Sequence, residues 1–116
     1  MRVMGKDHPD TLAFRSNLAG AYQEAGDLQR AIPLYEQTLE DSVRVLGADH
    51  PYTLTYRNNL AYAYESAGDL GRAIPLYEQT LEDTERVLGA DHPLTRTVRW
   101  NLAGAVAPRD DGAEQP

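Results

Sequence analysis

The segment LQRAIPLYEQTLEDSVRVLGADHP at residues 28–51 recurs almost unchanged, 42 residues later, as LGRAIPLYEQTLEDTERVLGADHP at residues 70–93. The copied region extends further, because residues 8–49 are matched in register by residues 50–91. A third copy opens at residue 92 with HPLTRTVRWNLAGA and ends near Pro108. A fixed period in this range is typical of a stacked repeat array rather than one globular fold, and such arrays commonly serve as binding surfaces.

Each copy contains two helical patterns. In the first copy, apolar residues recur at three- and four-residue steps from about Pro9 to Ala25, and again from about Leu28 to Leu46. The connector AGD at residues 25–27, repeated at 67–69, offers a glycine that ends one helix and an aspartate that caps the next. Because this connector is so short, the two helices are predicted to be antiparallel neighbours.

A second connector, LGADHP, separates the copies at residues 46–51 and 88–93. Its glycine suits the left-handed backbone position that ends a helix, and its proline suits the first helical turn. The histidines of this connector, His8, His50 and His92, lie one whole copy apart, so they cannot share one ion. We therefore interpret them as helix-start residues and predict no metal site.

Composition excludes several classes of function. The chain has 116 residues, which is enough for one domain, and a net charge of −7, which argues against nucleic acid binding. It has no cysteine, so a reducing cytoplasm is expected, and no apolar run approaches the roughly 18 residues of a membrane span. No nucleophile has a base at a helical spacing, and no phosphate loop or cofactor motif is present. We predict that the protein is not an enzyme and binds no cofactor.

The sequences NLAGAYQEAGDLQRAIPLYEQTL at 17–39 and NLAYAYESAGDLGRAIPLYEQTL at 59–81 resemble tetratricopeptide repeats. The 42-residue period resembles the kinesin-light-chain-like variant that is common in bacterial repeat proteins. The resemblance implies an all-α, right-handed solenoid of antiparallel helix pairs, with about five helices, whose first helices line a concave groove. The sequence departs from the shorter repeats at Arg15, Arg57 and Arg99, where a large apolar residue is common, so ion pairs are expected between repeats.

The period divides the chain into five parts. Residues 1–5 are predicted to be the remnant of a preceding helix, followed by repeat 1 at 6–47 and repeat 2 at 48–89. Residues 90–108 form a half repeat or a C-terminal capping helix. Residues 109–116 are polar and rich in helix breakers, which predicts a disordered tail.

The copies differ mainly along one stripe of the first helix, whereas the second helix changes at only a few positions. Packing should keep equivalent positions alike, while a binding face is free to vary, so we interpret the stripe as a groove for a peptide or protein. The constant asparagine beside the stripe is included in this candidate site. The predicted binding residues are Ala13, Ser16, Asn17, Gly20, Gln23, Thr55, Asn58, Asn59, Tyr62, Glu65, Thr97, Trp100 and Asn101.

Tyr62 and Trp100 are the expected aromatic anchors, because aromatic residues dominate binding energy at interfaces. In similar repeats an asparagine ladder bonds the backbone of an extended peptide, but a structural bond between repeats is an equal alternative. The stripe could also be no more than solvated surface. Since it holds Gln23, Glu24 and Glu65 and few basic residues, a neutral or basic extended segment is the expected partner.

Two other functions stay open at this point. The pattern is cut at both ends, so the chain could self-associate as a structural module, giving a homo-oligomer through exposed array ends. A concentration-independent monomer in light scattering would exclude this. Alternatively, the chain is the sensor arm of a larger bacterial signalling protein, as in relatives of this repeat type.

Overall fold

The computed structural model describes Gly5 and residues 8–107, and these residues form helices without any β-strand. The five helices are α1 (Pro9–Glu24), α2 (Leu28–Leu46), α3 (Pro51–Ser66), α4 (Leu70–Val87) and α5 (Pro93–Val106). The predicted all-α fold, the number of helices and the bounds of the first pair are confirmed. Apart from Gly5, the predicted helix remnant at 1–5 and the predicted tail at 109–116 lie outside the described residues.

Each helix packs against the next along the chain, and α3 also contacts α5. One apolar cluster joins α1, α2 and α3, and a second joins α3, α4 and α5. Small alanines such as Ala19, Ala61 and Ala63 lie fully buried in these clusters, where they let the helices approach closely. Because α3 contributes to both clusters, the copies share one continuous core.

The connectors adopt the conformations that the sequence predicts. The backbone φ angle is 82° at Gly26 and 99° at Gly47, and the equivalent Gly68 and Gly89 have almost the same values. These left-handed positions favour glycine because it has no Cβ. At the next helix start the Asp27 side chain accepts a hydrogen bond from the Arg30 backbone N–H at 3.2 Å.

The three histidines each cap a helix. In each case Nδ1 accepts a hydrogen bond at 3.0 Å from the backbone N–H two residues further along the chain, and a proline occupies the first helical turn. Their interpretation as helix-start residues is confirmed. Within the described part of the chain, no group of three or more His, Cys, Asp or Glu residues could hold a metal ion.

A buried arginine, Arg57, and a partly buried one, Arg15, join the two helices of their copies. Arg57 on α3 donates to Asp83 on α4 at 2.5 Å and to the Ala48 carbonyl oxygen at 3.0 Å. Arg15 on α1 donates to Asp41 on α2 at 2.9 Å. The expected location between repeats was therefore wrong for these two pairs, because the carboxylate that each arginine reaches lies on the second helix of its own copy. Arg99, in contrast, pairs across copies, with Glu85 at 3.4 Å.

These ion pairs predict a loss of stability in acid. Burial alone would raise the pKa of Asp83, but hydrogen bonds from Arg57, Arg86 and Gln79 more than offset it and hold the pKa below its usual range. The folded state then binds fewer protons than the unfolded state, so the stabilisation is complete above the unfolded pKa of about 4 and is lost as the pH falls through the folded pKa. Urea unfolding between pH 7 and pH 2.5 should show this fall, and Asp83→Asn should show a smaller one. An equal fall in both proteins would contradict the assignment.

Candidate functional site

Part of the varying stripe faces the neighbouring copy. Asn59 on α3 donates to the Ser16 hydroxyl on α1 at 3.2 Å, and Asn101 on α5 donates to the Asn58 side-chain oxygen on α3 at 3.3 Å. Each bond joins residues 43 positions apart, that is, the first helices of consecutive copies. The first helices α1, α3 and α5 therefore lie side by side along one face of the stack.

This geometry favours the structural alternative for two of the three asparagines. Asn59 and Asn101 bond the preceding copy, and their partners Ser16 and Asn58 are each only 6% exposed. Asn17, in contrast, is exposed. A partner would therefore reach Asn17 more readily than the other two asparagines.

Between α1 and α3 the surface forms two adjoining depressions, which we call together the α1–α3 groove. The larger has a volume of about 570 Å³ and the smaller about 330 Å³. Gly20, Glu24 and Tyr35 line both. The larger is completed by Gln23, Gly26, Leu28, Tyr62 and Ser66, and the smaller by Ser16, Asn17, Ala21 and Asn59.

The groove exists because α1 has a glycine where α3 has a tyrosine. Gly20 leaves open space on α1, and a Cβ at this position would meet only the Tyr35 hydroxyl, at 3.4 Å. Tyr62, its equivalent on α3, forms a wall of the larger depression and is 51% exposed. The same sequence difference that marked the stripe thus creates both the space and an aromatic wall.

A hydrogen-bonded network fixes the side chains that line the larger depression. The Tyr35 hydroxyl donates to the Gln23 side-chain oxygen at 3.0 Å, and the Gln23 amide donates to the Ser66 hydroxyl at 3.0 Å. Burial raises the pKa of Tyr35, and the nearby charge of Glu24 raises it further. The hydroxyl therefore stays protonated and keeps Gln23 in place.

The tyrosine of the second copy that is equivalent to Tyr35 has a different hydrogen-bond partner. The Tyr77 hydroxyl donates to the Glu65 carboxylate at 2.8 Å, and burial, followed by this carboxylate, raises the pKa of Tyr77. Glu65 was predicted as a binding residue, yet its carboxylate holds the Tyr77 hydroxyl. Its predicted contact with a partner stays a prediction.

Trp100 lies apart from the α1–α3 groove. It is 79% exposed and lines a depression of about 340 Å³ with Pro93, Arg96 and Thr97, which shares no residue with the groove. Trp100 occupies the register of Ser16 and Asn58, which the next first helix covers. The two expected aromatic anchors, Tyr62 and Trp100, therefore line separate depressions.

Five predicted residues line none of these three depressions, namely Ala13, Thr55, Asn58, Glu65 and Asn101. Ala13 is half-buried, and Thr55 donates to the Pro51 carbonyl oxygen of its own helix at 3.0 Å. Conversely, the predicted binding residues did not include Ser66, Tyr35 or Glu24, although Glu24 was placed on the stripe. Glu24 and Ser66 differ between the copies, so a comparison of the copies could have identified them. Tyr35 is constant and could not be distinguished from an ordinary core residue.

None of the helices within the described residues is both long and apolar enough to cross a membrane. Residues 10–85 match the tetratricopeptide repeat family. No curated protein matches the chain.

Solved structures give three further similarities. A protein of Podosopora anserina assigned as a kinesin light chain, with nearly identical TPR-like repeats, is 33% identical with a TM-score of 0.81, over 89% of this chain and 49% of that one. A variant of that protein, with one glutamine replaced by methionine, is 32% identical with a TM-score of 0.75, over 88% of this chain and 48% of that one. BtubC (BKLC) from P. vanneervenii is 25% identical with a TM-score of 0.79, over 96% of this chain and 43% of that one. The chain thus spans about half the length of these structures or less.

Proposed function

The chain belongs to the tetratricopeptide repeat family, and from that premise we propose that it binds an extended segment of a partner protein in the α1–α3 groove. The family consists of non-catalytic scaffolds that typically bind proteins or peptides. The observation that carries the proposal is the space that Gly20 leaves between two first helices, bounded by the exposed ring of Tyr62. An exposed aromatic wall beside a groove is a common anchor for a partner side chain.

The proposal includes no chemistry. The site residues supply hydrogen bonds and apolar contacts, and binding needs no cofactor, nucleic acid or membrane. The division into repeats at 6–47 and 48–89, with a half repeat or cap at 90–108, belongs to the same proposal. We also propose a cytoplasmic location, which is consistent with the absence of cysteine from the sequence.

Self-association is a second candidate, and exposed apolar residues at the two ends of the stack favour it. Phe14 on α1 is 64% exposed, whereas the equivalent Tyr56 and Val98 are buried. At the other end Trp100 is the most exposed large apolar residue of the described part of the chain. Such residues are suited to contact a second copy of the protein.

Filling the groove should abolish peptide binding. A random 12-residue peptide library displayed on phage is first selected against the wild-type protein, and the enriched peptides are synthesised. Gly20→Tyr places a ring in the groove without disturbing the helix, because the second copy carries Tyr62 at this position. We expect at least a tenfold loss of affinity, since steric blockage removes most contacts of one buried side chain. Isothermal titration calorimetry measures it.

The chain provides a matched control for this variant. Gly104 occupies the same register in the third copy, and a Cβ there would contact nothing within 4 Å. Gly104→Tyr makes the same chemical change outside the groove and should leave affinity unchanged. Equal affinity of both variants and the wild type would contradict the proposal, as would a selection that enriches no peptide.

A further inference from the structure

We propose that the α1–α3 groove seats a cationic side chain, arginine or lysine, of the partner segment. This inference rests on the proposed function and specifies which chemistry the groove recognises. The site is formed by the carboxylate of Glu24 together with the rings of Tyr35 and Tyr62, which line the larger depression.

The charge of the groove favours a cationic ligand. The residues that line the groove include the Glu24 carboxylate and no lysine or arginine. Glu24 is exposed, and among the described residues it forms no hydrogen bond or ion pair. The Glu65 carboxylate, in contrast, accepts a hydrogen bond from Tyr77. Glu24 is therefore available for a charge that a partner brings, and the net charge of −7 favours the approach of a basic segment.

The aromatic wall of the groove also favours a cationic ligand. The face of a tyrosine ring attracts a cation, and the attraction grows when the cation is partly desolvated. Tyr62 is half exposed, so a partner side chain can reach its ring from solvent. A side chain that enters the groove would thus lie beside this ring and beside Glu24.

The protein itself holds arginine in this way at two other places. The Arg30 guanidinium lies 5.7 Å from the centre of the Tyr22 ring, and it pairs with Asp27 at 3.4 Å. Arg72 repeats the arrangement over Tyr64 and beside Asp69, with the same two distances. The groove offers the same kinds of partner, a tyrosine and a carboxylate, but no arginine of its own. This juxtaposition identifies a cation as the matching ligand.

The copies also indicate that the site occurs once in the described residues. In the second copy Tyr62 replaces Gly20 and Ser66 replaces Glu24, so the space and the Glu24 carboxylate are both absent there. The Glu65 carboxylate of that copy already accepts a hydrogen bond from Tyr77. The site therefore predicts one preferred cationic position in a bound segment rather than a repeated pattern of basic residues.

The test uses the peptides selected against the wild-type protein. Enriched peptides should share an arginine or lysine at one position. Glu24→Gln should weaken such a peptide roughly fivefold, the size expected for the loss of one partly exposed ion pair. A second peptide with glutamine at that position should bind both proteins about equally. Glu40→Gln, which removes the same charge from an exposed position on α2, should have no effect on either peptide.

The outcomes separate the two proposals. Peptides that lack a shared basic residue, or equal affinities of wild type and Glu24→Gln for the basic peptide, would overturn the cation site. If Gly20→Tyr still abolishes binding in that case, the groove proposal stands alone. If no peptide is enriched, or if Gly20→Tyr binds as the wild type does, both proposals are wrong. Circular dichroism of every variant checks that the helices are intact.

Discussion

Replacing Arg57 by leucine should lower the free energy of unfolding by about 2–3 kcal/mol, because it leaves the buried carboxylate of Asp83 with fewer partners. The Arg57 and Asp83 side chains are only 10% and 12% exposed. Arg86 and Gln79 still donate to Asp83 in the variant, which keeps the loss at the lower end of the range for a broken buried pair. Urea unfolding followed by circular dichroism measures the change.

The third copy supplies the control for this variant. Arg99 occupies the register of Arg57, but both it and its partner Glu85 are about half exposed. Arg99→Leu should therefore cost less than about 1 kcal/mol, as is usual for surface pairs. Equal losses in the two variants would show that burial of the ion pair does not determine its contribution.

Leu54→Ala should lower the free energy of unfolding by about 3 kcal/mol, because it opens a cavity in a close-packed interior. The Leu54 side chain is fully buried on α3, as is the equivalent Leu12 on α1. The loss combines two costs. The first is the lost free energy of burying the removed atoms, and the second is that of a cavity which the surrounding residues fill only in part. The same urea measurement applies.

The equivalent residue in the third copy is again the control. Arg96 takes the register of Leu12 and Leu54 and is exposed on α5. Arg96→Ala should change stability by no more than about 0.5 kcal/mol. If Leu54→Ala were as mild as Arg96→Ala, the packing described for α3 would be wrong.

Helix bounds could be predicted from sequence because their signals are local. Gly26 and Asp27 stop one helix and start the next within three residues, and Pro51 fixes the following start after His50. None of these signals depends on the position of another copy. The two Arg–Asp pairs were harder to predict from sequence, because each joins residues 26 positions apart. Their location within a copy follows from how the helices of one hairpin face each other.

The candidate site was only partly predictable for a similar reason. Variation between copies identified Gly20 and Tyr62, both of which line the groove. It could not distinguish a position that faces solvent from one that faces the next copy. Ser16 and Asn58 vary, yet α3 and α5 cover them. Which stripe positions are covered depends on the relative placement of consecutive first helices, which no single helix pattern encodes.

The copies differ at the groove although they share the same core residues. Constant residues such as Tyr35 both pack in the core and line the groove, so the core and the site share side chains. Differences at a few neighbouring positions then change the ligand chemistry without altering the stack. The first copy provides space and a carboxylate, whereas the second provides an aromatic wall.

The most direct test of groove binding is nuclear magnetic resonance of the ¹⁵N-labelled protein titrated with a selected peptide. Backbone amide signals of Gly20, Gln23, Tyr62 and Ser66 are predicted to shift most, because these residues line the larger depression. The signals of Thr97 and the Trp100 indole should change little. The largest shifts at Trp100, or on the second helices around Gln37 and Gln79, with the signals of the α1–α3 groove unchanged, would contradict the account.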